Sequence, residues 1–278
     1  MTIPLNIKEQ LRNIKHFALD MDGTIYNGST LFPFTNDFLN HLKANGIGYS
    51  FLTNNPSKST ADYLKHLEKM GIPATKEEMY TSAVATINYI KNHHPSTKRL
   101  FILGTPSMVK EFEEAGFIST ADSAEDKPDA LVVGFDTSLI YSRLCRAAYW
   151  ASQQLPYFAT NPDWVCPTDQ PNILVDCGSI CSCIEAATKR KPDVVIGKPD
   201  PGMLDGIIQK YNLKPNEIAM VGDRIYTDVQ MAKNAGALGV LVLSGEATVV
   251  DVEQASTKPD IVARDLEELK EFLQKAKA

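Results

Sequence analysis

Two aspartates separated by a single residue follow the first short apolar run of the chain. The run spans residues 16–19, and Asp20, Asp22, Gly23 and Thr24 come directly after it. A carboxylate at the end of a strand can act as a nucleophile, which is the role we expect for Asp20. Asp22 can lie close enough to protonate a departing alcohol and then to activate water. Gly23 and Thr24 add backbone donors suited to an anionic group.

An attack by a carboxylate on a phosphate ester has a large electrostatic cost. A phosphate monoester is nearly a dianion, so the repulsion at about 4 Å is about 8 kcal/mol at an effective dielectric constant near 20. That cost corresponds to roughly six powers of ten in rate. Such a nucleophile is useful only beside a divalent cation and fixed positive donors, and the rest of the sequence supplies residues for both.

A second acidic cluster follows another apolar run, residues 218–221. Asp223 stands just beyond that run, and Asp228 follows it along the chain. With Asp20 and the backbone carbonyl of Asp22, Asp223 would complete a hard oxygen site for Mg²⁺, and Asp228 could act through a water molecule. The sequence therefore predicts a magnesium site.

Groups that could hold the phosphate follow two further apolar runs. Thr53, Asn54 and Asn55 follow the run of residues 48–52, and they offer a hydroxyl group and amide donors. Lys198 follows the run of residues 194–196 and supplies a fixed positive charge. Ligands of parallel sheets bind beyond the carboxyl ends of the strands, so we expect all four clusters to converge on one crevice.

The same residues also have simpler interpretations, as a calcium loop or as ordinary turns. The string Asp-x-Asp-Gly begins many calcium loops, but with Asp20 as the first ligand the sixth position would be Ile25 instead of glycine. The twelfth would be Leu31 instead of glutamate, which excludes that loop. Each cluster alone could also be an ordinary turn. Four clusters that all follow apolar runs favour a shared site.

The whole chain alternates short apolar runs with amphipathic stretches of helical length. This alternation is typical of a parallel α/β protein. The predicted strands are residues 16–19, 48–52, 100–103, 130–133, 156–159, 194–196, 218–221 and 238–243. The predicted helices include residues 60–70, 107–115, 138–153, 179–187, 203–211 and 227–234. The segment between the Thr53 and Lys198 clusters is long enough to form a separate domain, so we predict a core of residues 1–83 and 189–278 with an inserted α/β domain of residues 84–188.

Composition and charge narrow the function further. The 278 residues are 44% hydrophobic and 22% charged, with a net charge of −6, so nucleic acid and anionic membranes are disfavoured as partners. The N-terminus has neither a signal peptide nor a membrane span, which predicts a cytoplasmic protein. The odd number of cysteines favours reduced thiols. Cys177, Cys181 and Cys183 lack the spacing of a zinc site and are expected to be core residues.

Four motifs of the chain, DMDGT, LTNN, GKPDP and GDRIYTD, resemble those of the haloacid dehalogenase superfamily of phosphohydrolases. The position of the insert is similar to that in its nitrophenylphosphatase branch, which includes NagD-like enzymes. The resemblance implies a Rossmann-like αβα core with an inserted α/β cap domain. It also implies Asp20 as nucleophile, Asp22 as acid and base, Thr53 and Lys198 as phosphate binders, and Mg²⁺ held by Asp20, Asp22 and Asp223. Whether two chains form a homodimer through the cap domain is left open by the sequence.

Two segments of the insert resemble cap segments that approach the active site in this branch. The candidate substrate contacts in them are Asn161, Asp163, Asp176, Gly178 and Ser179. In the second segment, residues 175–178 read Val-Asp-Cys-Gly where relatives carry proline, glycine and alanine before the glycine. We expect these positions to influence which leaving group is accepted.

The function that fits these observations is hydrolysis of small phosphomonoesters through an aspartyl-phosphate on Asp20. Candidate substrates are sugar phosphates, nucleotides, pyridoxal phosphate and nitrophenyl phosphate. A phosphotransferase or mutase on the same fold is an alternative in which another acceptor replaces water. A binding module without turnover is a further alternative, but it would be expected to lack Asp20 or Asp22, and both are present.

Overall fold

A computed structural model describes residues 5–166, 168 and 171–277. Most of its strands are short and buried, as expected for parallel sheets covered on both faces. In chain order the strands are β1 (His16–Asp20), β2 (Tyr26–Asn27), β3 (Thr30–Leu31), β4 (Gly48–Thr53), β5 (Met79–Thr81), β6 (Arg99–Leu103), β7 (Ile118–Ser119), β8 (Ala130–Val133), β9 (Tyr157–Ala159), β10 (Val165–Cys166), β11 (Leu174–Val175), β12 (Val194–Val195), β13 (Ile218–Gly222), β14 (Leu238–Val242) and β15 (Ile261–Ala263).

The helices alternate with these strands along most of the chain. They are α1 (Leu5–Asn13), α2 (Thr35–Ala44), α3 (Thr60–Lys69), α4 (Ser82–His93), α5 (Pro106–Glu114), α6 (Tyr141–Ser152), α7 (Cys177–Thr188), α8 (Gly202–Tyr211), α9 (Gln230–Ala235), α10 (Val249–Gln254) and α11 (Leu266–Lys277). Two short 3₁₀ turns (Lys76–Glu78 and Pro215–Glu217) and one π-helical turn (Ile225–Val229) complete the regular structure. Within the described part of the chain, no helix is both long and apolar enough to cross a bilayer.

The strands form two larger sheets. One has six strands in the order β15-β14-β13-β1-β4-β5, and the other has five in the order β12-β9-β8-β6-β7. Neighbouring strands from β15 to β4 in the first sheet, and all neighbours in the second, are parallel. Two small antiparallel pairs, β2-β3 and β10-β11, lie outside these sheets. The predicted parallel α/β fold is confirmed.

The chain divides into two compact units. Among the described residues, the first comprises 5–52, Leu67–Met79 and 198–277, and the second comprises Thr53–His66 and Tyr80–Gly197. The predicted insert, residues 84–188, lies wholly within the second unit. Thr53 and the residues that follow it also belong to that unit.

The core of the first unit is built on β1, whose five residues are all buried. Phe17 on this strand contacts Phe38 of α2 edge to face, with ring centroids 5.8 Å apart. The terminal helix α11 buries Leu269 and Leu273 and packs against α1 and α2. β1 is thus packed within this core, and it ends at Asp20.

In the second unit the five-stranded sheet is covered by helices on both faces. Successive residues of β6 point to opposite sides, as the period of two in a strand requires. Phe101 and Leu103 pack in one cluster with Trp150 of α6 and Ile180 of α7. The intervening residues of β6 pack in a second cluster with α4 and α5, for example against Phe112. The second unit therefore has its own core.

Two predicted helices differ from those observed. Residues 138–153 were expected to be helical, but α6 begins at Tyr141 because Asp136 Oδ1 accepts a hydrogen bond from the amide of Ser138 at 2.9 Å and forms a turn. Residues 227–234 were expected to form one α-helix. The first part is instead a π-helical turn, and Arg224 O accepts hydrogen bonds from both Asp228 N (3.0 Å) and Val229 N (3.3 Å).

Candidate active site

The carboxyl ends of β1 and β13 bring two acidic residues to one edge of the first sheet. The parallel register pairs Leu19 with Val221, so Asp20 and Asp223 follow neighbouring strands at nearly the same level. Asp228 joins them from the π-helical turn. The three carboxylates offer oxygens that lie within 4.8 Å of one another, and all three residues are buried, with exposed fractions of 8%, 3% and 1%.

Asp223 is held between two glycines. A Cβ atom added to Gly23 would lie 2.3 Å from Asp223 Oδ2, and one added to Gly245 would lie 2.0 Å from the same oxygen, so neither position has room for a side chain. The amide of Glu246 donates a hydrogen bond of 2.7 Å to Oδ2. Oδ1 is buried and has no hydrogen-bond partner in the described part of the chain. Burial, together with the charges of Asp20 and Asp228, raises the pKa of Asp223 to about 7.

Lys198 places its ammonium group between two of these carboxylates. It donates hydrogen bonds to Asp20 Oδ1 and, at 2.7 Å, to Asp228 Oδ1. Burial alone would lower the pKa of Lys198, but the charges of Asp20 and Asp228 outweigh it and the pKa is raised. The other oxygen of Asp228 accepts a hydrogen bond of 3.0 Å from the amide of Arg224. Asp228 thus anchors the lysine, and both of its carboxylate oxygens have protein partners.

The segment after β1 carries the exposed side chain of Asp22 and forms a turn through its own backbone. Asp22 is exposed, and its Oδ1 accepts a hydrogen bond of 3.3 Å from the amide of Gly28. The amides of Gly23 and Thr24, predicted as phosphate donors, donate instead to Tyr26 O (2.7 Å) and Met21 O (3.3 Å). The backbone of the turn is therefore hydrogen-bonded within the turn. What Gly23 contributes in the structure is the space that it leaves for Asp223, because it has no side chain.

The donor set of the cluster fits a hard divalent cation. Carboxylate oxygens are the ligands that Mg²⁺ and Ca²⁺ take in proteins, and three converge here. Asp223 Oδ1 is a buried acceptor that a cation would satisfy, and a cation would offset the repulsion among the acidic groups. In the described residues, no other group of three His, Cys, Asp or Glu side chains converges in this way. Cys177 and Cys181 are buried, as expected of core residues, but Cys183 is exposed, so the prediction that it lies in the core is wrong.

The predicted phosphate-binding residues Thr53, Asn54 and Asn55 form a tight turn in the second unit. Thr53 Oγ1 accepts a hydrogen bond of 3.2 Å from the amide of Asn55. Asn54 O accepts one of 2.6 Å from the hydroxyl group of Ser82, and Asn55 O accepts one of 3.1 Å from the hydroxyl group of Tyr63. These bonds fix the backbone of the turn at two successive carbonyl groups.

The candidate substrate contacts of the insert form an internal hydrogen-bond network. Asn161 Nδ2 donates to Asp163 Oδ2 and to Asp176 Oδ1, each at 3.0 Å, and Asn54 Nδ2 donates to Asp163 Oδ2 at 2.9 Å. Asn161 and Asp176 are 0% and 3% exposed. Asp176 also caps the N-terminus of α7 through the amide of Cys177, at 2.5 Å. The network ties the turn at Asn54 to the start of α7.

Gly178 and Ser179 occupy the first turn of α7. A Cβ atom on Gly178 would lie 2.4 Å from Pro162 O, so a glycine is required for the close approach of the two segments. The amide of Gly178 donates to Asp163 O at 2.8 Å, and the hydroxyl group of Ser179 donates to Trp164 O at 2.7 Å. These two candidates bind the neighbouring loop in the described structure.

One part of the site was missed by sequence reasoning. The loop Ser244-Gly245-Glu246 follows β14 and contacts Asp223, and Arg224 forms a close ion pair with Glu246. A signal was present, because this loop is a fifth polar cluster that directly follows an apolar strand. It was overlooked because only one of its residues is acidic and none resembles a nucleophile.

Comparisons with known proteins agree with this arrangement. The family model described as haloacid dehalogenase-like hydrolase matches residues 17–118, and a second haloacid dehalogenase-like model matches residues 195–269. Acid sugar phosphatase of Staphylococcus aureus (strain USA300) is 30% identical over 258 residues, which cover 93% of this chain and 97% of that protein. The crystal structure of 4-nitrophenylphosphatase from Thermotoga maritima is 41% identical, with a TM-score of 0.89, and the match covers 94% of this chain and 98% of that one.

A third relative is glycerol phosphate phosphatase from Mycobacterium tuberculosis, whose structure was solved in complex with magnesium. It is 27% identical, with a TM-score of 0.86, over 94% of this chain and 78% of that one. The chain belongs to the haloacid dehalogenase-like hydrolases. Its enzyme class is that of the phosphoric monoester hydrolases, in the NagD and 4-nitrophenylphosphatase group, and phosphatases of this family use a divalent metal ion.

Proposed function

We propose that the protein hydrolyses phosphomonoesters of small molecules in a magnesium-dependent reaction, through an aspartyl-phosphate on Asp20. The observation that carries this proposal is the buried cluster of Asp20, Asp223 and Asp228 around Lys198. Burying three carboxylates beside a single ammonium group costs stability, and selection retains such an arrangement where chemistry needs it.

In the first half of the proposed reaction, an oxygen of Asp20 attacks phosphorus and the ester P–O bond breaks. The electron pair of that bond goes to the leaving oxygen, which takes a proton from the carboxyl group of Asp22. Asp22 suits this role because it is exposed, so its proton can be exchanged with solvent. Lys198 is fixed beside Asp20 and offsets the negative charge that the phosphoryl group brings.

In the second half, Asp22 removes a proton from water, and the water oxygen attacks the phosphorus of the aspartyl-phosphate. The bond between phosphorus and Asp20 breaks, which releases inorganic phosphate and restores the carboxylate. Asp20, Asp223 and the backbone carbonyl of Asp22 would hold Mg²⁺, with Asp228 acting through a water molecule, and the ion would supply charge neutralisation at the phosphoryl group. Asp223 Oδ1 is the buried oxygen best suited to that binding.

For the substrate, we propose small phosphate esters of the kinds that name the relatives. Sugar phosphates, glycerol phosphate and nitrophenyl phosphate come first, and nucleotides and pyridoxal phosphate complete the panel. The matching motif around Thr53 supports a role for Thr53 and Asn54 in holding phosphate, with Lys198 as the cationic partner. The contacts of Asn161 and Asp176 support a positioning role for them within the insert.

The experiment measures release of inorganic phosphate by the full chain across this panel, first after chelation and then with added Mg²⁺. We expect release only with the metal. Asp20→Asn should retain the fold and lose turnover, because an amide is a poor nucleophile. Substantial hydrolysis by this variant would refute the aspartyl-phosphate. Added alcohols distinguish the alternatives, since a transferase would form new esters at the expense of free phosphate.

A further inference from the structure

The loop after β14 binds both Asp223 and the segment that contains Gly23. Glu246 N donates to Asp223 Oδ2 at 2.7 Å, and Ala247 N donates to Asp223 O at 3.1 Å. The hydroxyl group of Ser244 donates to Gly23 O at 2.8 Å. The loop therefore connects the two chain segments that carry Asp20 and Asp223, and it makes these connections mainly through backbone groups.

The side chain of Glu246 links the same loop to the residue that follows Asp223. Glu246 Oε2 lies 2.9 Å from Arg224 Nε in a close ion pair that lacks the alignment of a hydrogen bond. The Arg224 side chain is largely buried, and the backbone of Arg224 is itself fixed by Asp228. The ion pair thus connects the loop to a rigid part of the acidic cluster.

We propose that Arg224 and Glu246 are positioning residues, whose ion pair holds the loop so that Asp223 presents Oδ1 to a divalent cation. This proposal rests on the metal site put forward in the proposed function. With Oδ2 engaged by the amide of Glu246 and the carboxylate confined between Gly23 and Gly245, the Asp223 side chain has one orientation. Oδ1 is then the only carboxylate oxygen of Asp223 left for the metal.

Preorganisation of the Asp223 carboxylate lowers the entropic cost of metal binding. A metal ligand that is already oriented loses little side-chain entropy when the ion binds, whereas a ligand that can rotate must be ordered by the binding itself. Removing groups that orient a ligand from outside the coordination sphere typically weakens metal affinity by 10- to 100-fold. For an ion pair whose glutamate is about half exposed (48%), we expect the lower end of that range, about tenfold.

The electrostatic effect of the two charges on metal affinity must be distinguished from the effect of positioning Asp223. Removing Glu246 alone also removes a negative charge, which weakens cation binding at any geometry, and removing Arg224 alone has the opposite electrostatic effect. The double variant Arg224→Met with Glu246→Ala keeps the net charge and loses the contact. Electrostatics alone predicts unchanged or tighter binding for this variant, because the charge of Arg224 acts on Asp223, whereas a positioning role predicts about tenfold weaker binding.

The test uses Mn²⁺ as the probe and needs no substrate. The full chain is stripped with EDTA and titrated, and bound Mn²⁺ is measured from the loss of the electron paramagnetic resonance signal of the free ion. The matched control is Lys275→Met with Glu271→Ala, which removes an exposed ion pair of α11 with the same change of charges. Arg224→Lys keeps the charge and tests rescue, and we expect its dissociation constant to stay within about threefold of the wild type.

The expected result is about tenfold weaker Mn²⁺ binding in the double variant, with the control unchanged and equal melting temperatures of all proteins in EDTA. Wild-type affinity in the double variant overturns the positioning role and leaves the proposed function intact. Weaker binding that is matched by a lower melting temperature in EDTA also overturns it, because the pair would then be a general structural contact. A wild-type chain that binds no Mn²⁺ refutes the metal site itself.

Discussion

The ammonium group of Lys198 lies 2.7 Å from Asp228 Oδ1, while the same nitrogen donates to Asp20. Lys198 and Asp228 therefore work as a pair that sets a positive charge beside the proposed nucleophile. The pair is almost completely buried, so its electrostatic effect is weakly screened by solvent. Removing the lysine should therefore affect both the activity and the pH dependence of stability.

Replacing Lys198 with methionine should reduce kcat/KM by about 10²- to 10³-fold, since the fixed charge that offsets the phosphoryl group is lost. The variant also leaves buried Asp228 without its cationic partner, so the pKa of Asp228, which burial already raises, should rise further. In EDTA the loss of stability should therefore be larger at pH 8 than at pH 5. Thermal unfolding at the two pH values checks this, with Lys69→Met, an exposed change, as control. An equal loss at both pH values would contradict the prediction.

Asp22→Asn should separate the two halves of the reaction. Nitrophenolate leaves with little protonation, so the first half should continue, but the second half lacks the base that activates water. We expect a rapid release of about one nitrophenolate per enzyme followed by very slow turnover, and little release from alkyl phosphates. Stopped-flow absorbance measures the burst. The fold should be unaffected, because Asp22 is exposed and its carboxylate accepts only one long hydrogen bond in the described chain. Steady turnover without a burst would remove Asp22 from the second step.

Asp223→Asn should stabilise the metal-free protein at alkaline pH while it weakens metal binding. Burial, with Asp20 and Asp228 nearby, raises the folded-state pKa of Asp223 to about 7 from its usual 3.8. A raised pKa means that the folded state binds the extra proton, so this group destabilises the fold fully above pH 7 and the penalty is lost as the pH falls toward 4. The stabilisation by Asp223→Asn at pH 8 is on the order of 4 kcal/mol.

Urea unfolding in EDTA at pH 8 and pH 5 measures this effect. The variant should be more stable than the wild type at pH 8, and this gain should be less than half as large at pH 5. With Mg²⁺ added, the order should reverse, because only the wild type gains stability from binding the ion. A variant that is less stable than the wild type in EDTA at pH 8 would show that Asp223 is not under electrostatic strain.

His16, at the start of the strand that ends at Asp20, should make the protein sensitive to acid. Its ring lies at the start of β1, and Nε2 is 2.9 Å from Ser50 Oγ. Burial, with a smaller effect of Lys210, lowers the pKa of His16 to about 4. The unfolded state then binds more protons between about pH 6.5 and pH 4, so stability falls as the pH falls through that window, by about 3 kcal/mol in total.

In His16→Gln this part of the pH dependence should be absent, although the variant can be less stable at neutral pH. The measurement is the free energy of unfolding in urea from pH 8 to pH 4.5, with His93→Gln as a control at an exposed position. The difference between wild type and variant should shrink as the pH falls. A difference that is constant with pH would show that His16 titrates normally in the fold.

The comparison of sequence and structure shows which parts of the site can be read from local patterns. Asp20 and Asp223 were placed correctly at strand ends, because strand periodicity and the parallel arrangement are encoded in short segments. The π-helical turn before α9 was not predicted, since it depends on the burial of Asp228, and a local sequence pattern does not show that burial. Widening of the helix there allows Arg224 O to accept two amides.

Contacts between distant segments were beyond local patterns. Asn54 and Asp163 are 109 positions apart, and only the fold brings their side chains to 2.9 Å. From sequence, Asn161 and Asp176 had the polarity expected of substrate contacts. Their near-complete burial and their bond to each other could not be read from that polarity, because a buried polar network and a binding surface use the same residue types.

Variants at Asp176 distinguish a structural role in the insert from a direct contact with substrate. Its Oδ1 accepts hydrogen bonds from Cys177 N and Asn161 Nδ2, and the residue is 3% exposed. Asp176→Ala should lower the free energy of unfolding by about 2 to 3 kcal/mol, because α7 loses its N-cap and a buried amide loses its partner. Asp176→Asn can still accept both bonds and should lose less.

Neither variant should reorder kcat/KM values across a panel of sugar, glycerol, nucleotide and nitrophenyl phosphates, since a side chain that is shielded from solvent cannot select among leaving groups by contact. Ratios of kcat/KM between substrates are the appropriate measurement, because they cancel any loss of folded enzyme. Ser179→Ala serves as a matched change in the first turn of the same helix. If Asp176→Asn changes the order of preferred substrates while stability is retained, Asp176 contacts the substrate in a conformation that exposes it.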